Sequence, residues 1–128
     1  MALFIVVNTG RKQWKALVEA KIGNSDLDEQ QIKDYLILAK KHNIDAVITL
    51  SNQYSAIPTH HPVSLKKSDL KGIELYHFSW MFILTEAIML LKTMSVDDED
   101  QRFLLNEMVR YFDHDSVGVS EFSSMNHE

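Results

Sequence analysis

The sequence predicts one domain of the α/β class. Two apolar, β-branched runs near the N-terminus, residues 3–7 and 14–22, flank a polar turn and indicate a β-hairpin. An amphipathic segment and a further apolar run follow, which predicts a helix that leads to a strand parallel to an earlier one. The length of 128 residues and the 45% apolar content suffice for one hydrophobic core.

The hairpin places opposite charges together. Residues 8–12 form its turn, in which Gly10 supplies the positive φ that a tight turn requires. In the returning strand Glu19 and Lys21 are two residues apart, so their side chains leave the same face, and the apolar neighbours point the other way. The first run, residues 3–7, is apolar without interruption, which is typical of a strand in the interior of a sheet.

A helix is predicted to begin at Asp26 or Asp28 and to end near Asn43. Either aspartate can cap the first turn, because a short acceptor side chain there binds the free backbone amides. Gln31 and Tyr35 are four residues apart and share one helix face. The apolar residues that recur at helical spacing are Ile32, Tyr35, Leu36, Leu38 and Ala39.

Two more strands are predicted, over residues 44–50 and 73–78. The segment 51–68 between them holds both prolines and several small polar residues, so we expect a loop there.

The C-terminal part is predicted to be helical. Ser79 opens an apolar helix that ends near Met94, and Ser95 with Asp98 three residues later indicates the cap of a helix over about 96–112. Residues 115–128 are a polar tail, so the predicted domain covers residues 1–114.

Composition excludes several kinds of protein. The chain has no cysteine, which removes disulfides, thiolate metal sites and a cysteine nucleophile, and fits a reducing compartment; we therefore expect a cytoplasmic protein. The longest apolar run, residues 80–91, is shorter than the roughly 18 residues of a membrane span, so no membrane partner is expected. A net charge of −5 argues against nucleic-acid binding through a bulk basic surface, and any DNA contact must be local.

These elements carry a resemblance to a known family. A hairpin with Glu19-Ala20-Lys21 on its second strand, followed by a helix and an apolar strand, resembles the catalytic core of the PD-(D/E)xK nuclease superfamily, the restriction-endonuclease-like fold. The match covers roughly residues 3–51. Gln31 and Tyr35 on the following helix resemble the Gln-x-x-x-Tyr element of RecB-like nucleases. The resemblance implies an α/β fold with a restriction-endonuclease-like core, a further strand and C-terminal helices.

The resemblance also implies a site. Glu19 would be a ligand of Mg²⁺ or Mn²⁺, with the carbonyl of Ala20 as a second ligand, and Lys21 would orient the attacking water or stabilise charge on the phosphate. Gln31 and Tyr35 would hydrogen-bond to Lys21 or to the nucleic-acid backbone and so fix the direction of the lysine. The substrate implied is DNA.

One element of the family pattern does not occur in the sequence. The family has a second metal-binding aspartate near the start of the hairpin, whereas residues 1–18 contain neither Asp nor Glu. We therefore expect that this chain is a C-terminal piece of a longer protein that begins just after that aspartate. A complete chain would instead be a catalytically incomplete relative that binds nucleic acid or serves protein assembly.

Other interpretations of the same residues stay open. Glu19 and Lys21 can form an ordinary exposed strand pair, Tyr35 can cover the edge of the core, and Gln31 can cap its helix. Adjacent His60 and His61 lack a nearby acid at ligand spacing, so a metal site there is the weaker interpretation.

The remaining polar groups have structural explanations. His77 lies at an alternating position of a predicted strand and is expected to be structural. The acids over residues 97–100 fit the first turn of a helix.

Large apolar side chains on several faces of the helix over residues 79–94 suggest burial against a partner, and the resemblance is compatible with a homodimer.

Overall fold

The computed structural model describes residues 2–93 and 96–112. The chain belongs to the α/β class, with four strands and four helices in the described part. In chain order the elements are β1 (Ala2–Thr9), β2 (Lys12–Ala20), α1 (Glu29–Lys41), β3 (Ala46–Ser51), α2 (Lys67–Leu70), β4 (Glu74–Ser79), α3 (Trp80–Lys92) and α4 (Glu99–Phe112).

The four strands form one mixed sheet in the order β1-β2-β3-β4. β1 and β2 are the predicted antiparallel hairpin, and Gly10 in its turn has a φ of +63°. β3 pairs parallel with β2, as expected for two strands joined through a helix, and β4 pairs parallel with β3. The carboxyl ends of β2, β3 and β4 therefore lie at one edge of the sheet.

Helices pack on both faces of this sheet. Ile32 and Leu36 of α1 are buried against Val47 on one face. Trp80 and Leu84 of α3 are buried with Ala20 on the other. Side chains alternate between the two faces along a strand. Ala20 faces α3, so its neighbour Glu19 faces α1. Among the described residues, no helix is long and apolar enough to cross a membrane.

Helix α1 begins where the sequence predicts. Of the two candidate caps, Asp28 takes the role, because its side chain accepts a hydrogen bond from the Gln30 amide at 2.9 Å. Gln31 therefore lies inside the first turn rather than at the cap. The buried residues of the helix are Ile32, Leu36 and Ala39, three of the predicted apolar positions.

The prediction misses α2 and places the start of α4 about three residues too early. The sequence predicts a loop over residues 51–68, yet α2 begins at Lys67. The Asp69 side chain accepts a hydrogen bond from the Lys66 amide at 3.2 Å there. The last helix begins at Glu99 rather than near residue 96, because Asp98 caps it by accepting from the Gln101 amide at 2.9 Å. Helix α3 ends at Lys92, close to the predicted end near Met94. The expected cap at Ser95 and the tail over residues 115–128 lie outside the described residues.

The position of β1 corrects another expectation. Its apolar run predicts an interior strand, whereas β1 lies at the edge of the four-stranded sheet that the described residues form. All eight residues of the strand are exposed, and its five large apolar side chains are 40–54% exposed: Leu3, Phe4, Ile5, Val6 and Val7. Residues 3–7 thus form an apolar edge that is open on both sides of the sheet.

Candidate active site

A buried carboxylate lies near the carboxyl end of β2. Glu19 is only 4% exposed, although it is charged. Its Oε1 lies 3.6 Å from the Lys21 ammonium, and its Oε2 accepts a hydrogen bond from the Tyr35 hydroxyl at 2.9 Å. We call Glu19, Lys21 and Tyr35 the carboxylate cluster. Three of the four side chains that the sequence singled out therefore meet at one point.

The local fold explains this meeting. Lys21 follows directly after β2, and its ammonium lies beside the Glu19 carboxylate, as their spacing predicts. Helix α1 covers this face of the sheet. Burial of Ile32 and Leu36 fixes the rotation of α1 and brings Tyr35 onto the sheet. A carboxylate that leaves water must gain an ionic partner and hydrogen bonds to offset its lost hydration. Lys21 and Tyr35 supply both.

Tyr35 acts on Glu19 rather than on Lys21, which corrects the contact expected from the resemblance. Burial raises the pKa of the Tyr35 hydroxyl. The hydrogen bond to Glu19 and the negative charge of that carboxylate raise this pKa further. A hydrogen bond with the Gln31 side chain lowers it and so opposes the rise. Tyr35 therefore keeps its proton and remains a donor at neutral pH. Gln31 adjoins the carboxylate cluster through Tyr35.

Ala20 separates the two charged residues but faces the other way. Its methyl group packs in the core beneath α3 with Trp80 and Leu84. The carbonyl of the next residue, Lys21, accepts a hydrogen bond from the Trp80 indole at 2.6 Å. This bond ties the start of α3 to the backbone of the carboxylate cluster.

A second polar arrangement crosses the sheet beside Glu19. In the strand register Glu19 pairs with Thr49, and Thr49 pairs with His77, so these three side chains form one row on the α1 face. The Thr49 hydroxyl oxygen lies 2.7 Å from His61 Nε2 and 2.8 Å from His77 Nδ1. His61 reaches it from the segment between β3 and α2. We call Thr49, His61 and His77 the threonine relay.

The protons in the threonine relay follow from its outer partners. His61 Nδ1 accepts from the Val63 amide at 3.0 Å, so its Nε2 carries the proton and donates to Thr49. His77 Nε2 lies 2.9 Å from the carbonyl of Gln53 and must donate to it, so its Nδ1 accepts from Thr49. The Thr49 hydroxyl therefore accepts one hydrogen bond and donates another.

Both histidines of the relay are held neutral. Burial lowers the pKa of His61 to about 4, and the neighbouring His77 lowers it as well. Burial also lowers the pKa of His77. A neutral imidazole offers one donor and one acceptor nitrogen, which is what the relay requires.

The sequence does not indicate that these three residues meet. It predicts a structural role for His77 and offers His61 with His60 as a weaker metal site; His60 is exposed and does not join the relay. It predicts a strand position for Thr49 and no role. Thr49 and Ser51 occupy alternate positions of an otherwise apolar strand, so they share one face. This pattern could have indicated a polar network, because buried polar side chains need hydrogen-bond partners.

The register also locates the start of the hairpin. Ala2 pairs directly with Glu19 across β1 and β2, so the two residues share a sheet face. The resemblance places the second metal-binding acid near this end of the hairpin. Among residues 2–93 and 96–112, no three His, Cys, Asp or Glu side chains converge as a metal site.

No family model, curated protein or solved structure matches the chain.

Proposed function

We propose that the chain is a metal-dependent nuclease domain that hydrolyses phosphodiester bonds of DNA. The observation that carries this proposal is the buried Glu19 carboxylate, held by Lys21 and Tyr35 near the carboxyl ends of parallel strands. In open sheets with parallel strands, ligands bind outside that edge. We further propose that β1, β2, α1 and β3 form a restriction-endonuclease-like core.

Glu19 is a suitable ligand for Mg²⁺ or Mn²⁺. These ions prefer oxygen, and Mg²⁺ is commonly held by one or two carboxylates with water completing its coordination shell. Glu19 would hold the ion, with the Ala20 carbonyl as the second protein ligand. Bound there, the ion would lower the pKa of an attacking water and neutralise phosphate charge.

Lys21 has the position of a charge stabiliser. Its side chain is 27% exposed, and its ammonium nitrogen lies 3.6 Å from Glu19 Oε1. As water attacks phosphorus and the leaving oxygen departs, negative charge grows on the phosphate oxygens. A fixed cation beside them stabilises this transition state more than the ground state.

Tyr35 and Gln31 are positioning residues in this proposal. The Tyr35 hydroxyl fixes one carboxylate oxygen of Glu19, and Gln31 adjoins that hydroxyl. Side chains that ligate a metal need such support to hold their orientation.

An alternative is a nuclease-fold module that binds nucleic acid or serves protein assembly without cleavage. The observation that favours it is the ligand set: within the described residues, Glu19 is not joined by two further acids or histidines at ligand spacing.

Cleavage of labelled single-stranded and duplex DNA in Mg²⁺ or Mn²⁺ separates the two functions. In a longer chain that supplies the second metal-binding acid, we expect cleavage that EDTA stops and that Glu19→Gln and Lys21→Met each abolish. Glu29→Gln is the matched control, because Glu29 forms an exposed pair with Lys33 at 3.2 Å on the same domain. Activity that survives in Glu19→Gln would refute the nuclease proposal, and wild-type protein without metal-dependent cleavage would favour the binding module.

A further inference from the structure

A cavity of about 320 Å³ lies between the segment that follows β3 and the first turns of α3. This volume is at the lower end of the range of pockets that hold small ligands, roughly 300–1,000 Å³. Asn52, Tyr54, Ser79 and Phe82 line it, and none of its eight lining residues is charged. The cavity therefore suits a small neutral group with polar edges.

Two aromatic rings form its exposed walls. Tyr54 is 73% exposed and Phe82 is 41% exposed, so neither ring is committed to a hydrophobic core. Phe82 is steadied by Phe78, whose ring centre lies 5.5 Å away at a tilt of 41°. Exposed aromatic faces beside a small cavity are the arrangement on which nucleobases stack.

Two hydrogen bonds tie the segments that line the cavity to the backbone that follows Glu19. Trp80, which lies between the lining residues Ser79 and Met81, donates its indole N–H to the Lys21 carbonyl at 2.6 Å. Asn52, another lining residue, donates its side-chain amide to the Gly23 carbonyl at 2.8 Å. The start of α3 and the segment after β3, which line the cavity, are therefore each hydrogen-bonded to the backbone that follows Glu19.

We infer that this cavity binds one unpaired nucleobase of a DNA strand that the nuclease site acts on. The inference rests on the proposed function and narrows its substrate to DNA with unpaired bases. A base in a duplex is already stacked and paired, so its faces are closed to Tyr54 and Phe82. An unpaired base offers a flat apolar face to the rings and polar edges to the lining side chains.

The test measures binding of a fluorescently labelled single-stranded 12-mer in EDTA, so that cleavage does not interfere. Tyr54→Ala should weaken binding about tenfold, since stacking on an aromatic side chain contributes strongly to each bound base. Tyr54→Phe keeps the ring and should bind like wild type. Tyr111→Ala removes an exposed tyrosine of α4 outside the cavity and should also bind like wild type.

A 2-aminopurine placed in the strand reports stacking directly, because its fluorescence is quenched by an adjacent ring. We expect quenching with wild type and its loss in Tyr54→Ala and in Phe82→Leu. Duplex DNA and free dAMP should compete weakly, which distinguishes a base within a strand from a free nucleotide.

The outcomes separate this inference from the proposed function. Equal binding by wild type and Tyr54→Ala, with cleavage that still depends on Glu19, would overturn the base site and leave the nuclease proposal standing. Tighter binding of dAMP than of the 12-mer would also overturn it, in favour of a nucleotide pocket. Absence of both DNA binding and cleavage would overturn both.

Discussion

Glu19 is a carboxylate almost entirely out of water, and its contacts determine what it can do. One oxygen faces a cation and the other accepts from a hydroxyl. Removal of a partner from a buried charge costs more than the bond itself contributes, because the charge keeps its desolvation penalty. The cluster is thus sensitive to substitutions that leave its shape intact.

Tyr35→Phe tests this sensitivity. The ring stays and the hydroxyl is lost, so the Glu19 carboxylate loses a hydrogen bond, and we expect a loss of roughly 1–3 kcal/mol in the free energy of unfolding. Urea denaturation measures it. Tyr54→Phe removes an exposed hydroxyl and is the matched control. Equal stability of Tyr35→Phe and wild type would mean that the hydroxyl does not support Glu19.

The neutral state of His61 predicts a pH dependence. The unfolded chain takes up a proton at this histidine near pH 6.5, whereas the folded chain does so only near pH 4. Below the unfolded pKa, protons therefore favour the unfolded state, and stability is lost as the pH falls from 6.5 toward 4. His77, whose pKa is also lowered, adds to the loss.

Denaturation of wild type and His61→Gln at pH 7 and pH 5 checks this prediction. We expect the wild type to lose on the order of 1–2 kcal/mol more than the variant between the two pH values. His60→Gln, at the exposed neighbouring histidine, controls for the substitution itself. The same pH response in wild type and His61→Gln would contradict a neutral buried His61.

At the scale of elements, β3 is a buried strand with a polar face. Thr49 and Ser51 are fully buried, and the Thr49 hydroxyl links β4 to the segment that carries His61. The relay therefore fastens a long connection to the sheet next to Glu19. A satisfied polar network of this kind also fixes the register of neighbouring strands.

Thr49→Val tests the relay at nearly constant volume. Loss of the hydroxyl leaves the His61 donor and the His77 acceptor without their partner, at a cost of roughly 1–3 kcal/mol for each group. Thr85→Val removes an exposed hydroxyl of α3 and should change stability by less than about 0.5 kcal/mol. A denaturation midpoint of Thr49→Val equal to that of wild type would show that the relay does not contribute to stability.

Elements whose signal is local could be predicted from the sequence. The hairpin, α1, β3, β4 and α3 follow from periodicity and turn residues, and the shared face of Glu19 and Lys21 follows from strand geometry. α2 has only four residues, fewer than a hydrophobic repeat needs. The threonine relay could not be predicted, because His61 lies in an irregular segment between β3 and α2. Residue spacing does not predict where the side chains of such a segment lie.

For the whole molecule, the apolar edge of residues 3–7 is the unusual surface. Exposed edge strands are usually shortened or charged to prevent pairing with other chains, and β1 has neither protection along this run. Two copies of β1 can pair antiparallel across a twofold axis, so that the open backbone edge of each strand is satisfied by the other. A second copy is therefore the partner we expect at this edge.

Light scattering after size exclusion measures this association. We expect wild type to be a dimer at micromolar concentration and Val6→Lys to be a monomer, since an edge lysine opposes strand pairing. Val6→Thr keeps the size and β-branching and should remain dimeric. A monomeric wild type, or a Val6→Lys dimer, would exclude pairing through β1.

The measurement that tests the central claim most directly is calorimetric titration of Mn²⁺ into wild type, Glu19→Gln and Ala2→Asp. Ala2 lies opposite Glu19, so an aspartate there adds a carboxylate on the same face. Leu3→Asp, one residue along and on the other face, is the matched control.

A metal site at Glu19 predicts one Mn²⁺ per wild-type chain and no binding to Glu19→Gln. Ala2→Asp should bind about tenfold more tightly than wild type, because added ligand charge raises affinity, whereas Leu3→Asp should not. Binding that is unchanged in Glu19→Gln, or that is absent from both wild type and Ala2→Asp, would contradict a metal-dependent nuclease site at this carboxylate.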